Sequence, residues 1–154
     1  MITLYKPNYD DLWFRQLLLS DEETMSYNHL WGGTIPFTKD KWPDWYDYWI
    51  VNNEEKRYYR YIKNEKDEFV GEVAYHYDEE IKGYIANVII YAKCRRCGYG
   101  SQALDMLCMV AKENGISYLY DDIAIDNKAI NIFLKHGFLE EYKTNEKIIL
   151  RKKL

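Results

Sequence analysis

The sequence has no run of the roughly 18 apolar residues that a bilayer-spanning helix needs, so a membrane protein is not expected. Its start, MITLYKPNYDDLWF, lacks the basic residues and apolar run of a secretory leader. Cysteine is scarce: three residues, an odd number that suits no disulfide framework, so reduced thiols and a cytoplasmic location are expected. Positive charge is also in deficit, with 21 Lys and Arg against 25 Asp and Glu and a formal net charge of -4. No cationic surplus exists to displace counterions, which argues against nucleic-acid partners. His29, His76 and His136 are scattered without ligand spacing, and Cys94 and Cys97 form the single C-x-x-C pair. A structural zinc site needs four ligands, so no metal is expected. No repeat and no linker rich in Gly, Ser and Pro interrupts the chain, and a single domain over residues 1–154 is the reading.

What the chain has in excess is aromatic rings, with 16 Tyr, 5 Trp and 5 Phe. That exceeds the needs of one core, so some rings are expected to line a site or an interface, a homodimer being one use for such a surface. Leu12, Trp13, Leu17 and Leu18 recur at helical spacing within 8–28, and a second short helix is expected over 40–51. Segments 57–63, 68–77 and 84–92 read as strands, the last apolar enough to be central. Ala103, Leu104, Leu107, Cys108 and Ala111 mark a helix stopped by Gly115. Residues 117–125 read as a strand, 127–135 as a helix capped by Asp126 and ended by Gly137, and the remainder as two strands around a TNEK turn.

The densest stretch is KCRRCGYGSQAL, residues 93–104. A strand ends, a loop follows, and a helix is expected from about Ser101. The first amides of a helix have no internal partners and carry the positive end of its dipole, so they attract anions. Gly98 and Gly100 let backbone approach a phosphate closely, while Lys93, Arg95 and Arg96 add charge. The loop lacks the GK[ST] ending of a P-loop and the third glycine of a dinucleotide fingerprint. A redox role for Cys94 and Cys97 would require a differently ordered fold, so both read as incidental. The plain alternative is an ordinary strand-to-helix turn with surface arginines.

Arg95-Arg96-Cys97-Gly98-Tyr99-Gly100 resembles the R/Q-x-x-G-x-G/A signature of the GNAT superfamily of N-acetyltransferases. Ala129-Ile130, Ile132-Phe133, Lys135 and Gly137-Phe138 resemble that family's AI-x-LY-x-K-x-GF helix, and the order of elements is similar across nearly the whole chain. The resemblance implies an α/β (α+β) fold with a central mixed, mostly antiparallel twisted sheet of six to seven strands. About four helices would flank it, with a splay between the strands at 84–92 and 117–125. It further implies acetyl-CoA as co-substrate, bound by strand, loop and helix within 84–114 and completed by 117–138. Arg95, Arg96, Cys97, Gly98, Tyr99, Gly100 and Ser101 would hold the diphosphate, largely through backbone amides. Val88, Ile89 and Ile90 would pair with the pantetheine arm, an amide near Ile90 would polarise the thioester carbonyl, and Asn127, Ala129 and Phe133 would complete the site. The activity implied is acetyl transfer to a primary amine by direct attack on the thioester.

This chain departs from the family's pattern at two places. Asp126 stands where Asn is usual, and either Asn127 takes over that contact or Asp126 only caps the helix, the reading preferred. Phe133 replaces the Tyr that commonly protonates the leaving thiolate, and Phe has no proton to give. Glu72 and Asp122, carboxylates inside otherwise apolar strands, are the candidate bases. The alternatives are an outward-facing Glu72 and a salt-bridged Asp122 at a sheet end. Residues 28–50 are the expected acceptor side, with Trp31, Trp45, Tyr46 and Asn87 as candidate contacts for a cationic small-molecule amine. The same rings would equally serve helix packing. A non-catalytic acyl-CoA-binding module, or acetylation of a protein or peptide amine, are the alternative functions.

Overall fold

A computed structural model describes all 154 residues, Met1–Leu154. A seven-stranded sheet in the order β1-β2-β3-β4-β5-β7-β6 forms its frame. The strands are β1 (Thr3–Tyr5), β2 (Arg57–Lys63), β3 (Phe69–Asp78), β4 (Gly83–Ile90), β5 (Tyr118–Ala124), β6 (Leu139–Lys143) and β7 (Lys147–Lys153). The helices are α1 (Leu12–Ser20), α2 (Trp42–Tyr46), α3 (Tyr99–Glu113) and α4 (Ile130–Lys135). Every strand pair is antiparallel except β4 and β5, whose parallel pairing follows from the α3 crossover between them. No helix is long and apolar enough to cross a membrane.

Helices cover both faces of the sheet, which explains why β3 is buried along most of its length rather than alternating. On one face the apolar stripe of α3, from Ala103 to Ala111, packs on Val73, Tyr75, Ala86, Leu119 and Ile123. Leu104 and Leu107 are fully buried there, each stabilising the fold by about 2 kcal/mol at ~25 cal/mol per Å². On the other face α1 and α2 lay Leu12, Phe14, Leu18 and Trp42 over Tyr59, Tyr61, Ala74 and Ile89.

Strands β2 to β7 agree with the sequence reading to within two residues, β1 was not read from the sequence, and three helical readings are corrected. The stretch 8–28 is not one helix: α1 stops at Ser20, and 3₁₀ turns run from Thr24 to Trp31. The Asp21 carboxylate accepts hydrogen bonds from the Thr24 amide (3.0 Å) and hydroxyl (2.5 Å), a local competitor that ends the helix. Over 39–51 a 3₁₀ turn leads into α2, which widens into a π-helical turn closed by the Asn52 amide on the Asp47 carbonyl (2.7 Å). Finally, α4 begins only at Ile130, and Asp126 does not cap it. Asn127 Oδ1 instead accepts the Ala129 amide at 2.9 Å, and Asp126 faces His29 Nε2 at 3.1 Å.

The sheet opens where it is expected to splay. β4 and β5 pair only at Tyr84 with Leu119 and Ile85 with Tyr120, then diverge. Gly83 makes this joint tight, since a Cβ there would meet the Tyr120 ring at 2.5 Å. Beyond Ile85 the edge of β4 that faces β5 has no strand partner.

Candidate active site

The divergence of β4 and β5 leaves a cleft of about 820 Å³, bounded by the loop before α3, by the first turn of α3, by residues 121–136 and by the 26–31 segment. Val88, Ile89, Ile90, Asn87, Arg95, Arg96, Gly98, Tyr99, Gly100, Ser101, Asp122, Asn127, Ala129, Phe133 and Trp31 all line it. Cys97 does not; its exposed thiol points at the Arg95 carbonyl (3.6 Å).

The loop owes its shape to two backbone positions with positive φ, Arg96 at 66° and Gly98 at 79°. Gly98 adopts this left-handed state without a Cβ penalty; Arg96 is held in it at a cost of order 1 kcal/mol. The consequence is a run of amides, Arg96 through Ser101, none of which donates a hydrogen bond inside the chain. With the dipole of the 15-residue α3 behind them, these N–H groups form a cradle for an anion. Arg95 is committed elsewhere: its guanidinium donates to the Thr24 (2.9 Å) and Glu23 (3.4 Å) carbonyls. The Ala92 amide donates to Thr24 Oγ1 (2.9 Å), so the loop is fastened to the 21–24 turn at two points. Arg95 is therefore a brace, and Arg96, also exposed, is the arginine left without a partner beside the cradle. Burial pushes the Cys94 thiol pKa upward, away from reactivity.

Besides Cys97, three expected site residues fall outside the cleft: Glu72, Trp45 and Tyr46. Glu72 is 1% exposed and faces α1, where Arg15 Nη1 donates to both carboxylate oxygens (2.8 and 2.7 Å) and the Tyr59 hydroxyl donates to one of them. The Arg15 guanidinium also stacks over Trp45 at 4.6 Å from the ring centroid. Glu72 is thus spoken for by a buried cation and a phenol, and a base role is corrected to a structural one. Trp45 packs edge-on to Tyr59 (4.7 Å), and the Tyr46 hydroxyl donates to the Pro7 carbonyl (2.9 Å), so both rings serve packing.

Asp122 keeps its place. It lines the cleft at 40% side-chain exposure, with Lys147 Nζ 3.9 Å away. Partial burial raises its pKa, and the Lys147 charge opposes that shift. Its neighbour Asp121, passed over in the sequence, is the more unusual group. It is 7% exposed, lines the cleft on the α3 side of the sheet, and is paired with no cation. Desolvation first, then the adjacent Asp122 charge, push its pKa well above the ordinary carboxylate range. The only available signal was two adjacent acids in an apolar strand, where one of the pair must point inward.

Tyr27, His29, Lys128, Lys135 and His136 also line the cleft without having been singled out for it. Tyr27 is largely buried, and desolvation raises its phenol pKa. Phe133 is 6% exposed and packs edge-on to Phe138 (5.1 Å), which leaves no hydroxyl at that point. No group of three or more His, Cys, Asp or Glu side chains is arranged to hold a metal ion.

Chemically, the cleft offers a multi-oxygen anion site at one end and an unpaired strand edge leading away from it. A phosphorylated, amide-bearing extended molecule fits that combination, as coenzyme A does. Comparison with known proteins agrees. The sequence pattern of the acetyltransferase (GNAT) family matches residues 17–138. No protein of curated function matches the sequence at a significant level. Among solved structures, the fold is similar to a spermidine N-acetyltransferase from Vibrio cholerae in complex with CoA and spermine, at TM-score 0.79 and 17% identity over 99% of this chain and 95% of that one. It is also similar to the Microcin C7 self-immunity acetyltransferase in complex with acetyl-CoA and AMP, at TM-score 0.76 and 20% identity over 99% and 92%. A GNAT-family acetyltransferase from Bacillus anthracis superposes at TM-score 0.76 and 16% identity over 99% and 94%.

Proposed function

The chain belongs to the acetyltransferase (GNAT) family, and from that premise we propose that it transfers the acetyl group of acetyl-CoA to the primary amine of a small cationic acceptor. The observation that carries this reading is the row of unpaired amides at Arg96–Ser101, continuous with the unpaired edge of β4. The amides and Arg96 would hold the diphosphate, and the β4 edge near Val88–Ile90 would pair with the pantetheine amides. A β4 amide aimed at the thioester oxygen would stabilise the charge that develops there.

Acceptor choice is supported by the other wall of the cleft. Trp31 and Tyr27 offer aromatic faces, and Asp122 and Asp126 offer negative charge, a combination that attracts an alkylammonium. The relative from Vibrio cholerae binds spermine, a molecule of that class. An alkylammonium must lose a proton before it attacks. Asp122, partly exposed on the cleft wall, would take that proton directly or through a water. Asp121, whose pKa is raised by burial, is the proton donor assigned here to the departing thiolate, where Phe133 has none.

Coenzyme thiol release measured across polyamines, aminoglycosides, amino acids and N-terminal peptides tests the proposal. Acceptor-dependent release is expected with a small polycationic amine, and Asp122→Asn should lower kcat ~100-fold with the acetyl-CoA KM little changed. Coenzyme binding without release for any amine would overturn it in favour of a non-catalytic acyl-CoA-binding module, the reading that the missing hydroxyl at Phe133 favours.

A further inference from the structure

Ser101, in the first turn of α3, is joined through His136 to Asp105 one helical turn further on. Ser101 Oγ lies 2.6 Å from His136 Nε2, and His136 Nδ1 lies 2.6 Å from Asp105 Oδ1. His136 sits at the C-terminal end of α4, and its side chain is 15% exposed. Ser101 and His136 both line the cleft, at the end occupied by the unpaired amides. The linked trio therefore ends on the anion cradle.

The same connectivity serves nucleophilic hydrolysis in other folds, with the carboxylate buried. Here Asp105 is 59% exposed, and the serine hydroxyl stands among donors suited to a phosphate. Hydrogen-bond direction decides what the trio does. With neutral His136, its Nδ1–H donates to Asp105 and its Nε2 must accept the Ser101 proton, so the hydroxyl turns its lone pairs toward the cleft. With protonated His136, Nε2–H donates to Ser101, and the hydroxyl is free to donate to an anion. The proton on the imidazole reverses the polarity that Ser101 presents.

We propose that Ser101, His136 and Asp105 form a proton-linked clamp on the coenzyme diphosphate, so that binding takes up a proton on His136. This rests on the coenzyme-binding reading above and adds a pH dependence to it. The other charges around His136 are Lys135 on its own helix, Arg96 and Lys128 along the cleft, and Lys152 on β7, whose side chain lies against Gly137. An arriving diphosphate adds two negative charges beside the imidazole and offsets these cations. Binding and protonation then reinforce each other, as linkage requires.

The ligand for the test is dephospho-coenzyme A, which keeps the diphosphate but lacks the 3′-phosphate that itself titrates near neutrality. Isothermal titration in buffers of different ionisation enthalpy should give net proton uptake near pH 7. The dissociation constant should rise ~10-fold between pH 5.5 and 8.5, the size of one charge-assisted hydrogen bond. His136→Gln, folded as judged by its melting curve, should bind with no uptake and a flat profile. Ser101→Ala should lose most of the pH dependence, and Asp105→Asn should shift the profile to lower pH. Buffer-independent heats and a flat wild-type profile would overturn the clamp while leaving coenzyme binding intact. Uptake that persists unchanged in His136→Gln would overturn it equally. Failure of the wild type to bind coenzyme A at any pH would instead remove the reading on which it rests.

Discussion

Glu72 shows how far a single residue can be read from its neighbours in sequence. A carboxylate within FVGEVAYHY had to be either functional or compensated, and the partner that compensates it, Arg15, lies 57 positions earlier on α1. Burial was thus legible and the partner was not, because pairing across elements leaves no local pattern. The charge pair predicts its own test. Glu72→Gln strands the Arg15 cation among Phe37, Trp45 and Tyr59, and should destabilise the protein by about 3–5 kcal/mol in urea denaturation. Asp121 predicts the opposite sign. Its folded pKa is raised, so ionisation costs stability as pH climbs from the unfolded value of about 3.9 through the folded one. Asp121→Asn should accordingly melt at the same temperature as wild type near pH 3.5, and higher by several degrees at pH 7 and above. If the residue is also the proton donor, that gain in stability will accompany a fall in kcat.

At the level of elements, β2 to β7 and α3 were visible because their periodicity is strong and turn residues bound them, whereas the three-residue β1 was too short to show a pattern. The stretches misread as continuous helices have apolar spacing that fits a helix, but short side chains near their ends satisfy backbone groups first. Asp21 does so for Thr24, and Asn127 for Ala129. The glycines and cations of the loop at 93–100 were evident in the sequence, whereas the diversion of Arg95 to the 23–24 carbonyls was not. Two substitutions separate these roles. Gly98→Val places a β-branched residue at φ 79°, which should cost about 1–2 kcal/mol in stability and weaken coenzyme binding at least ~10-fold. Arg95→Ala removes the brace and not the cradle, so its main effect should be faster proteolysis of the 21–31 segment, with coenzyme affinity lowered less than by Arg96→Ala.

For the molecule as a whole, one β-sheet carries two covered faces, and the site arises where that sheet fails to close. The aromatic excess divides between these tasks. Phe14, Tyr59, Tyr61 and Trp45 build the α1–α2 side, while Tyr27 and Trp31 reach the cleft. Composition announced the surplus; only the register of the sheet and the turns over 24–31 decide which ring serves which purpose.

The joint between β4 and β5, two residue pairs long, makes the coenzyme more than a reactant. Strands β1 to β4 and β5 to β7 meet there over a shorter span than any other neighbours in the sheet. A pantetheine arm lying in the gap would act as a rung bonded to one rail and wedged against the other. Without it, amides at the open ends of the two rails would trade their hydrogens for deuterium early and together; with it, they would fall silent as a group. The enzyme would borrow part of its architecture from the molecule that it consumes, and each release of free coenzyme would briefly return the loan.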